Sequence, residues 1–577
     1  QDVTGISGGP AFLPVNPKQI HYQIEDTLSW VTGRHSLKTG YRFILRKPTP
    51  FTHTNTRSQI NIFRNLTNNP ATNSQGSGFA TLLLGYTTGG SRGFLLDFYD
   101  FTNSEHSLFV QDDWKLSDRI TVNAGLRWEV YVPDTEAENR LPNYDVEGKR
   151  LVYAGENATE RANKETRMGN LAPRIGVAWD VTGDAKNVLR AGYGRSYFPI
   201  PHAAGNLLDQ NVPDSISQNY SVETNPLDFS PSRVPRLSQP FPAIVPVKPM
   251  TTAELNAANP LVFGHAFSNE TPNMDTWQVS YERQITNTMM AEVAYVGSKG
   301  RNLIWVANIN EVQPGPGTQA SRRLIQELSN VSTINYFVPT NKSSYNSLQV
   351  KVNQRFSRGL QYLLSYTFGK SLDHAGAPAS GGGAVGGPQS VTLFDESRGP
   401  SGFDTKHRFV ASWVWSLPFG EGRALANGGI LKPILENWQF AGIVTLSTGR
   451  PFTVFLNTGV NNGAPSWPDR IGDGRLDSPT VDQWFDPTAF VAPTPNTYGT
   501  SGRGVLYAPG TQTIDVSLSR TFPIKMFRLQ FRADAFNLFN TPQFGFPNAN
   551  IGSPTVGRIT STIADNRSMQ FALKLDW

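Results

Sequence analysis

The last nine residues, Met569-Gln570-Phe571-Ala572-Leu573-Lys574-Leu575-Asp576-Trp577, alternate without a break: odd positions are large and apolar, even positions polar or small. A period of two belongs to an extended strand, whose successive side chains point to opposite faces. The same alternation runs upstream. Phe527, Leu529 and Phe531 oppose Arg528, Gln530 and Arg532, and Ile514, Val516 and Leu518 oppose Asp515, Ser517 and Ser519. Each strand therefore has one greasy face and one polar face. Ending on Trp577 in mid-pattern, without a polar tail, departs from soluble domains, whose ends fray into water. It suits a sheet closed on itself in lipid, where backbone groups find partners only in neighbouring strands.

The pattern starts early. Ile20, Tyr22, Ile24, Leu28 and Trp30 alternate with Gln19, His21, Gln23, Glu25 and Ser29, with Asp26 as an intrusion on the apolar side. Thr32-Gly33-Arg34-His35 then predicts a tight hairpin turn. Similar hairpins are expected around Leu116-Ser117-Asp118, Thr182-Gly183-Asp184, Thr286-Asn287-Thr288 and Ser357-Arg358-Gly359. Gly78 to Gly85 is too short for periodicity to separate helix from strand.

Between these turns lie long polar excursions: Pro48 to Gly93, Pro133 to Gly169, Ile200 to Met274, and Pro451 to Pro509. Short turns thus alternate with connections of very unequal length. A propeller would show a repeat near 40 to 50 residues with blade signatures, and a soluble sandwich has no reason to place its long connections on one side. The expectation is an all-β fold, a transmembrane antiparallel β-barrel with short periplasmic turns and long extracellular loops. It has roughly 16 to 18 strands of ~10 residues, and residues 1–577 form a single barrel unit.

Composition agrees once read in those terms. The hydrophobic share is 38% and the mean hydropathy −0.35, but only alternate strand residues need to face lipid. A helical span needs ~20 consecutive apolar residues, and the nearest run, Phe79 to Tyr86, is far shorter. Lys and Arg total 51 against 46 Asp and Glu. No dense basic run accompanies that small excess, so nucleic acid is not an expected partner. Cysteine is absent, which excludes a disulfide framework, a thiolate metal site and a cysteine nucleophile. The chain opens on Gln1 without a basic and apolar leader, so the expectation is a processed or longer gene product.

Candidate chemistry is thin. Asp469, Asp473 and Asp477 with Gly472 and Gly474 resemble a calcium loop in composition but not in the alternate-position order an EF-hand needs, and a structural loop is expected. Gly381-Gly382-Gly383 and Gly386-Gly387 lack the Lys-Ser or Lys-Thr of a phosphate cradle. The eight histidines are dispersed, and no Gly-x-Ser-x-Gly elbow is present. No catalytic, metal or cofactor site is expected, and the protein reads as not an enzyme. Arg174, Glu282, Lys351, Arg355, Arg528, Arg532 and Lys574 project opposite the greasy face and are expected to line the lumen. None of them stands out as a ligand-binding residue.

Five stretches carry a resemblance: Leu28 to Gly40 (LSWVTGRHSLKTG), Phe109 to Lys115 (FVQDDWK), Ala172 to Gly176 (APRIG), Trp484 to Phe490 (WFDPTAF) and Asp534 to Asn540 (DAFNLFN). With them the chain resembles the barrel portion of TonB-dependent outer-membrane receptors, specifically the Oar-like group. The resemblance implies a Gram-negative cell outer membrane location and uptake of a nutrient such as a siderophore, carbohydrate or oligopeptide. It also implies outer-membrane lipid around the barrel, TonB acting through a plug, and the barrel assembly machinery engaging the strand that ends at Trp577. By that comparison the N-terminal regulatory-like domain, the plug and the first barrel strands are missing from this sequence. The alternative is a surface adhesion or structural protein that binds a partner through its long loops.

Overall fold

The strands expected from the period-two pattern hydrogen-bond to their sequence neighbours throughout. The computed structural model describes residues 18–48, 58–69, 76–96, 99–199, 207–221, 234–241, 246–376, 386–420, 425, 432–456, 467–524 and 526–577. Among the described residues fifteen strands form an antiparallel meander. They are β1 (Gln19–Thr32), β2 (His35–Pro48), β3 (Phe101–Lys115), β4 (Ile120–Glu136), β5 (Asn170–Asp180), β6 (Asn187–Tyr197), β7 (Asn273–Gln284) and β8 (Met289–Asn308). The wall continues through β9 (Ile334–Ser357), β10 (Leu360–Asp373), β11 (His407–Ser416), β12 (Trp438–Ser447), β13 (Thr511–Ile524), β14 (Phe527–Phe536) and β15 (Ser568–Asp576). Each pairs with the next, from β1–β2 through β14–β15.

The count falls just under the sequence expectation for a physical reason. The excursion that starts at Pro48 lacks a continuous apolar face, and among its described residues Gln59–Asn61 pairs with Gly89–Leu95, which in turn pairs with Ser215–Ser221, in a small sheet separate from the wall. Gly78–Leu83 is a helix.

Which face meets lipid follows from register and exposure. Across β7, β8 and β9, Val279 and Tyr281 oppose Tyr295 and Val293, which in turn oppose Leu348 and Val350. Apart from the half-buried Val350, these side chains are exposed on the outer surface. On β15 the greasy face is more open still, Leu573 being 72% and Trp577 91% exposed. Trp30, Trp114, Trp179, Trp415, Phe527 and Trp577 all stand on the outer face beside the short turns. That is the aromatic girdle expected where a barrel crosses the membrane interface.

Two-residue turns such as Gly33-Arg34, with Gly33 at φ +55, close the periplasmic side, because such a tight hairpin requires positive φ. Strand direction puts the connections after β2, β4, β6, β8, β10, β12 and β14 at the other end, and the connection from β11 to β12 on the short-turn side. Since each strand reverses the last, β1 and β15 run in the same direction, and no pairing joins them among the described residues. Close cross-strand packing tightens the wall. A Cβ on Gly297 would sit 2.3 Å from the indole of Trp277, its register partner, and one on Gly442 would sit 2.4 Å from Trp413.

Candidate functional site

On the inner face the sequence supplies charge at alternate positions, and these charges pair across neighbouring strands or, two residues apart, along one strand. Glu105 on β3 accepts from Arg42 and Arg46 on β2, at 2.7 Å from Arg42. Arg127 donates to Glu129 at 2.6 Å, Arg190 to Glu282 at 3.2 Å, and Arg532 to Asp534 at 2.8 Å. Lys351 lies 3.8 Å from Glu292, and Lys574 lies 3.0 Å from Asp576. Arg355 donates to the carbonyl of Asn287 at a periplasmic turn. Arg174, Glu282, Lys351, Arg355, Arg528, Arg532 and Lys574 therefore all fall on the polar face, as expected, but on separate strands rather than at one point. The inner wall also carries apolar residues that alternation on single strands did not reveal. Leu363, Ser412, Ile443 and Asp515 lie in one row across β10 to β13, and Ile443 is half exposed there.

The described residues of the long loops are packed into cores of their own. Segments 137–169, 198–272 and 309–333 bury Tyr144, Leu151, Tyr153, Leu255, Val262 and Leu328 in one cluster. Tyr99, Phe101, Leu141, Leu208, Phe263 and Phe337 form a second. Polar backbone inside such loops needs partners, and buried asparagines provide them. Asn143 accepts from the His265 amide at 2.8 Å and donates to the Ala162 carbonyl at 3.0 Å. Asn211 makes the same double contact with Phe263, and Asn310 with Leu328, Val331 and Ile325. The asparagine-rich composition of these excursions thus has a packing role.

A second part of the cap joins 448–510 to 537–567. Phe452, Phe485, Phe490 and Leu506 are its core, with Phe546, Ile551 and Val556 packed against them. Trp484 donates to the Tyr507 carbonyl at 2.8 Å, and Asp486 accepts from Thr488 at 2.9 Å. The stretch from Trp484 to Phe490 is therefore a loop core. In the same segment Asp469 accepts from the amide and hydroxyl of Thr500, and Asp473 pairs with Arg470 at 2.7 Å. Both carboxylates are used by the loop itself. Glycines 381–383 lie outside the described residues.

Sequence reasoning missed a group of buried titratable side chains in the cap. Lys164 lies 3.8 Å from Asp134, and burial drives its ammonium pKa down. His265 is stacked on Phe337 with centroids 4.3 Å apart, and burial holds it neutral. Asp209 is almost fully buried, and desolvation pushes its carboxyl up to about 8, with the nearby Asp134 charge acting in the same direction. Nothing in the local sequence marks these residues, because their burial comes from packing between distant loops.

The sign for Asp209 is direct. Its folded value lies above the ordinary ~3.9, so its contribution to stability is full below about pH 4 and is lost as pH rises through about 8. Asp209→Asn is expected to abolish that decline, measured as amide-exchange protection of segment 207–221 between those pH values. Lys164 and His265 remain in both proteins, so the difference isolates Asp209. An unchanged slope in the variant would refute the assignment.

Residues 1–570 match the profile of the outer membrane beta barrel domain family. The chain belongs to that family. As a member of it, this barrel sits in the outer membrane of a Gram-negative bacterium. Solved structures similar to the barrel include the outer membrane transporter YddB from Escherichia coli, at 11% identity and TM-score 0.49, covering 97% of this chain and 54% of that one. The pyoverdine receptor FpvA of Pseudomonas aeruginosa matches at 10% identity and TM-score 0.47, covering 98% and 53%. The FrpB iron transporter from Neisseria meningitidis matches at 9% identity and TM-score 0.42, covering 97% and 55%. The barrel spans about half the length of each of these proteins. A comparison with curated proteins gives no match.

Proposed function

We propose that this barrel is the membrane-spanning part of a TonB-dependent receptor of the Oar-like group, taking up a nutrient such as a siderophore, carbohydrate or oligopeptide. The observation that carries the reading is the inner wall. Among the described residues a wall of fifteen strands presents an inner face lined by charged side chains rather than by interlocking apolar ones, as in barrels too wide for side chains to fill. The packed extracellular cap supports capture at the outer mouth, and the apolar row at Leu363 and Ile443 offers a contact surface within the lumen. In this reading the lumen encloses a plug that TonB pulls, and the strand ending at Trp577 is read by the barrel assembly machinery. No catalytic role is assigned to any residue.

Deletion of the encoding gene in its native host provides the test, with uptake of labelled ferric siderophore, oligosaccharide and oligopeptide compared with a strain lacking TonB. Loss of the same uptake in both strains is expected. Unchanged uptake of all three, with loss of attachment to a surface or partner cell, would place the protein among adhesins instead.

A further inference from the structure

The outer face changes character at the extracellular end of β7 to β9. Along β8 the outward row is Val293, Tyr295, Gly297 and then Lys299, and along β9 it is Val350, Leu348, Asn346, Ser344 and then Lys342. The rise from Met289 to Lys299 is about 33 Å along the strand at ~3.3 Å per residue. A tilt of ~40° reduces it to roughly 25 Å of height, the height of a barrel's apolar band. Lys299 therefore stands where hydrocarbon gives way to headgroups. Register places Arg195, Asp275, Lys299 and Ser344 side by side at this level. Arg195 donates to Asp275 at 2.7 Å, Arg301 also donates to Asp275, and Arg398 donates to Ser344 at 3.1 Å.

Above this row is a cavity of about 740 Å³ lined by Lys299, Arg301, Trp305, Lys342, Phe394 and Asp395. Trp305 and Phe394 stack with centroids 4.8 Å apart, and Val338 and Ile309 complete an apolar wall. Lys299 and Lys342 are exposed and have no carboxylate partner among the described residues. Arg301 shares its charge with Asp275, and Asp395 is the carboxylate that lines the cavity.

We propose that this cavity binds a phosphate group of the phosphorylated glycolipid that forms the outer leaflet. Two unpaired ammonium groups and the edge of a guanidinium suit a phosphate through charge-assisted hydrogen bonds. The aromatic and aliphatic wall takes the sugar and proximal acyl atoms. Position selects a lipid over a solute, because Lys299 and Lys342 continue the outward rows of β8 and β9 at headgroup depth.

The test uses the folded full chain in detergent, with native mass spectrometry reporting occupancy by purified bis-phosphorylated lipopolysaccharide. A Lys299→Gln/Lys342→Gln double variant is expected to bind about tenfold more weakly or worse, and a Lys299→Arg/Lys342→Arg pair to retain binding. Enzymatically dephosphorylated lipopolysaccharide is expected to bind the wild type about tenfold more weakly. That comparison decides even if the glutamine variant does not fold. Equal binding of the dephosphorylated lipid, or undiminished binding by a folded glutamine variant, would overturn the proposal. Displacement of the glycolipid by an equimolar amount of inorganic phosphate would overturn the lipid assignment in favour of a free anion.

Discussion

Arg503→Ala is expected to be the most damaging single substitution in the extracellular loops, costing about 3–5 kcal/mol. The Arg503 side chain is fully buried and pairs with Asp373 at the end of β10. Its Nε donates to the Ser397 carbonyl at 3.0 Å, and its remaining donors reach the carbonyls of Gly399 and Gly386. One guanidinium thus ties segment 448–510 to the wall and to segment 386–400. Truncation leaves a carboxylate buried and uncompensated, and removes partners from several carbonyls. Lysine is not a conservative replacement, because a single ammonium cannot reproduce the planar fork. Limited proteolysis of the folded barrel is the measurement. Rapid cleavage within 467–510 is expected for the variant under conditions where the wild type resists, with the wall still showing heat-modifiable migration. Equal resistance would mean that the loop is held by its own apolar core alone.

Placing arginine at Val293 is expected to cost roughly 2–4 kcal/mol if the residue lies at mid-depth in the apolar band. Val293 is 46% exposed on the outer face and lies between Tyr281 and Val350. The control is Gln349→Arg on the lumen face, one register step away, where water and carboxylates are at hand. Urea titration in lipid vesicles should show a large loss of folded barrel for the first variant and a small one for the second. Similar losses would mean that the two faces are interchanged.

These expectations were legible in the sequence to different degrees. Alternation identified the lipid-facing residues, since each flip of one residue moves a side chain across the wall, and the wall strands keep their phase apart from register shifts near Thr102, Gly300 and Gln354. The seven charged residues expected in the lumen were legible for the same reason. What stayed hidden depends on contacts between segments far apart in the chain. Arg503 meets Asp373 across 130 positions, and Asn143 meets His265 across 122. Neither has a local pattern, because in loops the partner, not the period, fixes the conformation. The cationic cavity at Lys299 and Lys342 was hidden for a related reason. The register shifts between Gly300 and Trp305 change the β8–β9 alignment near that level, so strand period alone does not show which residues gather around the cavity.

On the proposed uptake reading, the asparagine-stapled cap has a consequence for how a passing solute is held. Ordering a loop costs conformational entropy whenever it happens, and here the ordering is done as the protein folds, by the clusters around Tyr144 and Tyr99. A molecule arriving at the outer mouth therefore meets a surface whose shape already exists, and little of its contact energy is consumed in arranging the host. Selectivity at the entrance then comes from fit to a standing relief, and changing it by mutation means recutting that relief, not retuning the softness of a strand of chain.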